Sequence, residues 1–582
     1  MTCGRRYSAL LAALALLFVA CGSDGGGADD EATEATAAQT EESGGDTTTT
    51  AADETGAGPA GTLKIGFAAI GPIQLYPPYD ALPGQFIDTT TIYEGLLDFT
   101  TEVEPWLVES WTVSEDNLTW TFKLREGIPF QGDWGEMTSD DVIYSLEQHM
   151  VDDATNQSGS FFRDDVGFDA GGSMRAIDDY TIEIKTATPS FGLPYTLSGE
   201  VQPTVFSKAH IESVGIEEAT LNGIGTGPWQ WDEGRSDEFF RYRAVENHWR
   251  NTPAFEFLEF LEIPETATLV ANFQAGQVDA FTIGTFGASP LSFDEIAAVR
   301  DVEGAVIETV DNASQIYLDF HGMRNVQDDR GLTPADRPWV SQNADTSSDE
   351  WQAAADVRKA MSLAIDRQSI IDNLLLGQGT IPPQWVTGPY DPPPNVDWGE
   401  FDPDKARQLL ADAGYADGFT IPMALPNVFD GNPNNIGTAI CPMWEAELNI
   451  VCEIENVAIA DFRTMAWVNR GYEGITPHPG TGGVDPVGYT VNSHSRGVLN
   501  FSGEHPEQDE IVDRIEDLFT LEDRLQGSYE WQQWIYDNTQ VIPVVNTPVF
   551  VAFGPNVEPW EFDARDAGFF YLSRYDLAKP KG

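Results

Sequence analysis

Leu118-Thr119-Trp120-Thr121-Phe122-Lys123-Leu124-Arg125-Glu126-Gly127 reads as a strand that ends in a turn. Trp120, Phe122 and Leu124 alternate with Thr119, Thr121 and Lys123, the period of two that lays one strand face on a core. Downstream, Thr138 and Asp141 form a capping pair ahead of Asp140-Asp141-Val142-Ile143-Tyr144-Ser145-Leu146; the pattern opens a helix that turns Ile143 and Leu146 inward. The same alternation of strand and capped helix continues along the chain. Ile182 and Ile184 alternate with Thr181, Glu183 and Lys185, and Ile316, Leu318 and Phe320 repeat the period. Asp402-Pro403 supplies an N-cap and a first-turn proline. Ala406, Leu409, Leu410 and Ala413 then share a face, and Gly414 closes the helix. Val357, Met361, Ala364 and Ile365 form another core-facing stripe, continued by Ile370, Ile371 and Leu374. Mixed strands and helices of this kind belong to the α/β class. No internal repeat is found.

The N-terminus carries an address. Arg5 and Arg6 precede the apolar run Ala9 to Ala20, which falls short of the roughly 20 residues a membrane-spanning helix needs. Residues 1–20 therefore read as a secretory signal. Phe18-Val19-Ala20-Cys21-Gly22 resembles the bacterial lipobox, with Phe18 at the usual leucine position, and marks Cys21 for lipidation. Residues 21–60 are Gly, Ala, Thr, Ser, Asp and Glu almost throughout, with no Lys or Arg. Such a composition cannot bury enough apolar surface to offset chain entropy, so a disordered tether is expected there. The roughly 520 residues beyond it exceed one small core. Asp+Glu 94 against Lys+Arg 31 gives a formal net charge of -63. A surface of that sign repels nucleic acid and anionic headgroups and keeps the chain solvated. Of the four cysteines, Cys3 leaves with the signal and Cys21 takes the lipid. Cys441 and Cys452 remain in an exported chain, so a disulfide is expected, with two buried free thiols as the alternative. The segment between them reads as a helix, Met443 to Leu448, turning into a strand, Ile450 to Ile454.

An ordered set of segments resembles the bacterial extracellular solute-binding proteins of family 5, the peptide/nickel type. Thr91-Ile92-Tyr93-Glu94-Gly95-Leu96-Leu97 is similar to the family's YEGL segment, and Pro105-Trp106-Leu107-Val108-Glu109-Ser110-Trp111 follows at the family's distance. The opening strand and helix come next, then Ile177-Asp178-Asp179-Tyr180-Thr181-Ile182-Glu183-Ile184. Gly225-Thr226-Gly227-Pro228-Trp229 resembles the GTGPY turn, and Gly276-Gln277-Val278-Asp279 the G-x-V-D segment. Val357-Arg358-Lys359-Ala360 through Ala364-Ile365-Asp366-Arg367 and Phe401-Asp402-Pro403 to Gly414-Tyr415 resemble two further family helices. The resemblance implies a two-lobed periplasmic-binding-protein-like fold of type II with an extra domain inserted in the first lobe. Carried over, lobe I takes 61–90, 203–312 and 546–582, its insertion 91–202, and lobe II 313–545. The implied function is that of a lipid-anchored receptor on the outer side of the cytoplasmic membrane. It would close around a small solute, most simply a peptide, and deliver it to ABC permease and ATPase subunits, working as a monomer. A sensor lipoprotein of the same fold, or a receptor for an oligosaccharide or metal chelate, is the alternative.

Gly474-Ile475-Thr476-Pro477-His478-Pro479-Gly480-Thr481-Gly482-Gly483-Val484-Asp485-Pro486 aligns with the loop that lines the ligand in peptide-binding relatives. In those relatives an aspartate meets the peptide's α-amino group, three residues before a D-P or E-P pair. Here that place falls on Gly482, while Asp485 takes the role if the loop is shifted. A buried ammonium without a paired charge costs several kcal/mol as an order of magnitude. A peptide and a bulkier or neutral solute therefore both stay open. His478 and Gly480 lie in the same loop, and Leu82 and Phe86 fall in an early first-lobe loop that reaches the ligand in relatives. Trp385, Tyr390 and Trp467 are aromatic candidates in the second lobe, suited to peptide side chains or sugar rings.

No G-x-S-x-G elbow, H-E-x-x-H pair or G-x-x-x-x-G-K-[ST] loop occurs, so the reading is a binding protein and not an enzyme. Seven scattered histidines show no ligand spacing, and no cofactor or resident metal is expected. We predict that Cys21→Ala releases the exported protein from the membrane fraction without unfolding it. Persistent membrane association of the variant would refute the lipobox reading.

Overall fold

The computed structural model describes residues 58–581 apart from 80–90, 100–102, 152, 156–157, 199–202, 284–290, 292, 328–330, 332–336, 386–389, 427–431, 481–485, 488–489, 491–492, 496–502, 517, 519 and 561–573. Its frame is one ten-stranded mixed sheet and a smaller four-stranded one. In chain order the strands of both are β1 (Thr62–Phe67), β2 (Val108–Val113), β3 (Thr119–Leu124), β4 (Ser173–Asp178), β5 (Thr181–Lys185), β6 (Trp229–Arg235) and β7 (Phe239–Ala244). They continue with β8 (Phe257–Glu262), β9 (Ala280–Ile283), β10 (Val306–Phe320), β11 (Thr420–Pro426), β12 (Val451–Val457), β13 (Ile475–Gly480) and β14 (Val541–Phe553). The large sheet runs β6-β7-β8-β1-β9-β14-β10-β13-β11-β12, and the small one β2-β3-β5-β4.

The two longest strands, β10 and β14, pair antiparallel from Val306↔Phe553 to Asp319↔Val541. They join two sets of hydrophobic cores. Val551 and Phe553 pack with Leu63, Ile65, Trp229 and Phe260. At the other end Ile316, Leu318, Ile542 and Val544 pack with Val357, Met361, Leu410 and Trp444. The small sheet has its own core around Trp120, Phe122, Leu124, Ile182 and Leu146. Single strands that enter two cores tie both halves of the molecule to one hydrogen-bonded ladder.

Local rules account for most elements. The helix Ser139–His149 begins with a capping box between Thr138 and Asp141. In Pro403–Asp412 the Asp402 side chain accepts from the Lys405 N–H and a proline sits in the first turn. One expectation fails. The helix before Cys452 does not start at Met443; it spans Asn432–Leu448 and runs through Pro442. A mid-helix proline costs roughly 3 kcal/mol. The face Ile436, Ile440, Trp444 and Leu448, every member at most 2% exposed, offsets that cost by packing on the sheet. The strand likewise starts one residue late, at Val451. Cys441 and Cys452 are disulfide-bonded, with Cα atoms 5.8 Å apart, so this helix is tied to the sheet's edge strand.

Buried polar groups tie the shared motifs together. Glu94, 3% exposed, accepts from Trp106 Nε1 at 3.1 Å, Thr226 Oγ1 at 2.8 Å, Trp249 Nε1 at 2.9 Å and Arg250 Nη2 at 3.1 Å. Gly225 and Gly227 let the chain pass close by, since a Cβ there would run into the carbonyls of Ile92 or Thr91. Arg358 is buried and donates to the carbonyls of Trp339, Asn538 and Thr539. Asn538 is the last residue of the helix Leu521–Asn538, whose C-terminal partial charge favours a cation.

All seven histidines are buried. Burial pulls His149, His494 and His505 down to about 4 and His321 and His478 to about 3, and lowers His210 and His248 as well. An unfolded histidine protonates near 6.5, so this stability is present above about pH 6.5 and lost as pH falls toward the folded values. Each such histidine changes stability by about 1.4 kcal/mol per pH unit within that window. Buried Asp319, Asp279 and Asp141, whose burial raises their pKa, act in the opposite sense, gaining stability as pH falls through their raised values. We predict that the melting temperature drops steeply between pH 6.5 and 4.5. A flat melting temperature across that interval would contradict the burial of these imidazoles.

Candidate functional site

Where β13 ends, Gly480 pairs with Gln315 of β10. At this point the β10–β14 ladder is also broken. Its register passes from Val310↔Val549 to Ser314↔Thr547, so Asp311, Asn312 and Ala313 face only Pro548 across the ladder. Pro548 has no N–H to donate, and Asn312 takes a left-handed backbone with φ 56°, which asparagine tolerates better than most residues. Residues 475–480 of the segment expected to be a loop are thus strand β13 itself, paired within the sheet, and that strand ends beside the bulge in the strand that joins the two sets of cores.

Polar groups gather there. The Gln315 Nε2 amide donates to the Gln384 carbonyl at 2.9 Å and to Asn546 Oδ1 at 3.0 Å. Thr380 and Asn546 exchange backbone hydrogen bonds at 3.1 and 2.9 Å, and Thr380 Oγ1 donates to Asn312 Oδ1 at 2.6 Å. Gln315, Gln384 and Asn546 are buried, so these bonds lie in a low dielectric.

Next to this polar knot stands an aromatic cluster. Alternation along β10 sends Ile316, Leu318 and Phe320 to one core and leaves Tyr317, Asp319 and His321 on the other face. Tyr317 lies opposite His478, and Asp319 opposite Thr476. The Tyr317 hydroxyl and His478 Nδ1 are 2.9 Å apart. The Tyr317 ring meets Trp385 edge-on at 5.8 Å, and Trp385 lies 5.1 Å from Trp531. Burial, reinforced by His321, holds His478 neutral at physiological pH. Asp319 is fully buried, neither of its carboxyl oxygens has a hydrogen-bond partner among the described residues, and burial raises its pKa well above the usual carboxylate range. Burial of this kind favours the neutral acid.

Of the residues picked from the sequence, His478, Gly480 and Trp385 come together, linked by Tyr317, Gln315 and Gln384. Tyr390 is half-buried and follows the segment 386–389. Trp467 belongs to the π-helical turn Arg463–Val468; its side chain, like Leu82, Phe86, Gly482, Asp485 and Cys21, lies outside the described residues. The sequence reading missed Tyr317, Gln315, Thr380 and Asn546. The signal for the first two was the odd parity of the strand whose even parity, Ile316, Leu318 and Phe320, marked the core. Among the described residues no group of three or more His, Cys, Asp or Glu side chains could hold a metal ion. A groove of about 800 Å³, lined by Trp106, Lys123, Arg125, Trp249 and Arg250 among others, shares no residue with this site.

Residues 102–498 match the model of the bacterial extracellular solute-binding proteins, family 5 Middle. The chain is 23% identical over 513 residues to the heme-binding protein A of Haemophilus influenzae, covering 81% of this chain and 86% of that one. It is 24% identical over 368 residues to the dipeptide-binding protein of Escherichia coli, covering 59% and 62%. The crystal structure of a dipeptide-binding protein from Pseudoalteromonas sp. SM9913 in complex with Met-Leu superposes with a TM-score of 0.70 at 19% identity. It covers 90% of this chain and 100% of that one. The two-lobed fold expected from the sequence is thereby shared.

Proposed function

The chain belongs to the bacterial extracellular solute-binding proteins of family 5, and from that membership we propose that it is the extracytoplasmic receptor of an ABC importer. It captures one small solute between two closing lobes and hands it to a membrane permease. The observation that carries the reading is the pair of long strands β10 and β14. They are the two covalent crossings between separate sets of cores, and a bulge interrupts their pairing beside the end of β13. Two bodies joined by two strands rotate about the weak point in the ladder, and rotation closes the space between them. A buried ligand surface and a closing hinge suit each other.

The separation of the cores supports lobe limits at 61–90, 203–312 and 546–582 for the first lobe, 91–202 for its insertion and 313–545 for the second. The family places the protein outside the cytoplasmic membrane. Among the described residues no helix is long and apolar enough to cross a membrane, and anchoring through a lipid on Cys21 is part of this proposal. The site shows hydrogen-bonding amides and aromatic rings, with burial favouring the neutral forms of His478 and Asp319, which suits a peptide backbone or another uncharged polar solute. Among the described residues the polar knot and aromatic cluster hold no ionised side chain to pair an ammonium, and by the resemblance Gly482 falls where peptide-binding relatives have their aspartate.

The expected outcome is that ordinary di- and tripeptides bind weakly, and that Gly482→Asp improves free peptides relative to their N-acetylated forms. A charge-assisted hydrogen bond contributes roughly 1.5–3 kcal/mol, so the gain is about ten- to a hundredfold. Calorimetry with trialanine and N-acetyl-trialanine on wild type, Gly482→Asp and Asp485→Asn reads it directly. A wild type that already prefers the free amine, and loses the preference in Asp485→Asn, assigns the role to Asp485 instead.

A further inference from the structure

The segment 379–385 carries Trp385 into the aromatic cluster, and it touches the crossing strands at two separate places. At its start Gly379 runs hard against β14: a Cβ there would lie 3.0 Å from the Asn546 carbonyl and 3.1 Å from Leu375. Thr380 then adds a short antiparallel bridge to Asn546, donating from its N–H and accepting at its carbonyl. Its hydroxyl donates to Asn312, the middle residue of the bulge. Near the end of the segment the Gln384 carbonyl accepts from Gln315 Nε2, and the same amide group also donates to Asn546. One loop is thus bonded to both crossing strands, to Asn312 inside the three-residue bulge of β10 and to Gln315 and Asn546 just beyond it.

We propose that 379–385 is a mechanical link between solute and hinge, with Gln315, Asn546 and Thr380 as its positioning residues. Trp385 is itself buried, at 1% exposure, so a solute acts by pressing on the cluster around it; the loop then pulls on Asn546 and Asn312, and the bulge at 311–313 takes up the change in backbone angle. The inference rests on the receptor reading given above and adds to it which residues set the balance between open and closed arrangements. Gln315 is the buried node of the network, at 0% exposure, and Thr380 its exposed end. Losing one hydrogen bond at such a node changes a two-state ratio by roughly two- to tenfold.

The test uses the full exported chain with its disulfide intact and nitroxide labels at Leu221→Cys and Phe401→Cys, one on each side of the crossing. Both positions are apolar and exposed, at 55% and 47%, so labelling removes no packing or ion pair. Pulsed electron–electron resonance gives the distance distribution of solute-free protein, prepared by unfolding, dialysis and refolding. In Gln315→Met, which keeps the volume and deletes both donors, the ratio of the two lobe arrangements shifts severalfold. Thr380→Val shifts it in the same direction, and Thr380→Ser restores it. Identical distributions in wild type and a folded Gln315→Met would overturn the proposal. Should Gln315→Met not fold, an unchanged distribution in Thr380→Val would overturn it equally. The receptor reading is tested separately, by comparing wild type before and after its co-purified solute is removed.

Discussion

The antiparallel pairing of β10 with β14 is the constraint on which the rest depends. Backbone hydrogen bonds fix the two strands side by side over most of their length, and their side chains enter the cores at both ends. Neither half can shift its register without flipping every buried side chain on the strand to the opposite face. The ladder is interrupted twice, at the stretch facing Pro548, where three residues oppose one, and again between Ile316 and Tyr317, where Val544 is skipped; the first is the larger break. Concentrating the freedom there converts a continuous sheet into two rigid bodies with a defined joint. Gly480 at the end of β13, the polar knot and the start of the Trp385 segment all lie beside that joint.

A second set of interactions holds the inserted sheet in place. Glu94 is taken out of water, and the desolvation of its carboxylate is offset only because four donors converge on it. Those donors come from Trp106, Thr226, Trp249 and Arg250. Three of the segments that resemble the family, around 91–97, 105–111 and 225–229, are therefore the walls of one buried ion site. Arg358, in a fourth such segment, does the same for the end of the helix Leu521–Asn538. The motifs read as strings of apolar residues in the sequence, yet what makes their spacing specific is a few charges that must be satisfied.

Elements whose apolar period runs uninterrupted were legible in the sequence: Trp120, Phe122 and Leu124, Ile182 and Ile184, and the helix opened by Asp402-Pro403. The helix around Pro442 was not, because local propensity marks a break there and only the buried face from Ile436 to Leu448 reverses it. At the site, His478, Gly480 and Trp385 were named from resemblance and from aromatic chemistry. The amides of Gln315 and Asn546 were invisible, since a glutamine or asparagine in a strand carries no signal until the fold shows what it bonds. The two cysteines were legible because export leaves few other roles for a pair.

The chain carries a formal charge of -63, while the candidate site is built largely from uncharged groups: burial strips His478 of its proton and raises the pKa of Asp319. On the proposed reading, such a site would select by hydrogen bonding and shape, with the net charge acting against anionic solutes at long range. The central claim is that this neutral site is closed by rotation about the β10–β14 joint. Small-angle scattering on the exported protein, with occupancy verified by native mass spectrometry, tests it most directly. A smaller radius of gyration in the solute-bound form than in the stripped form is the predicted result. Superimposable scattering profiles for fully loaded and fully stripped protein would contradict the account.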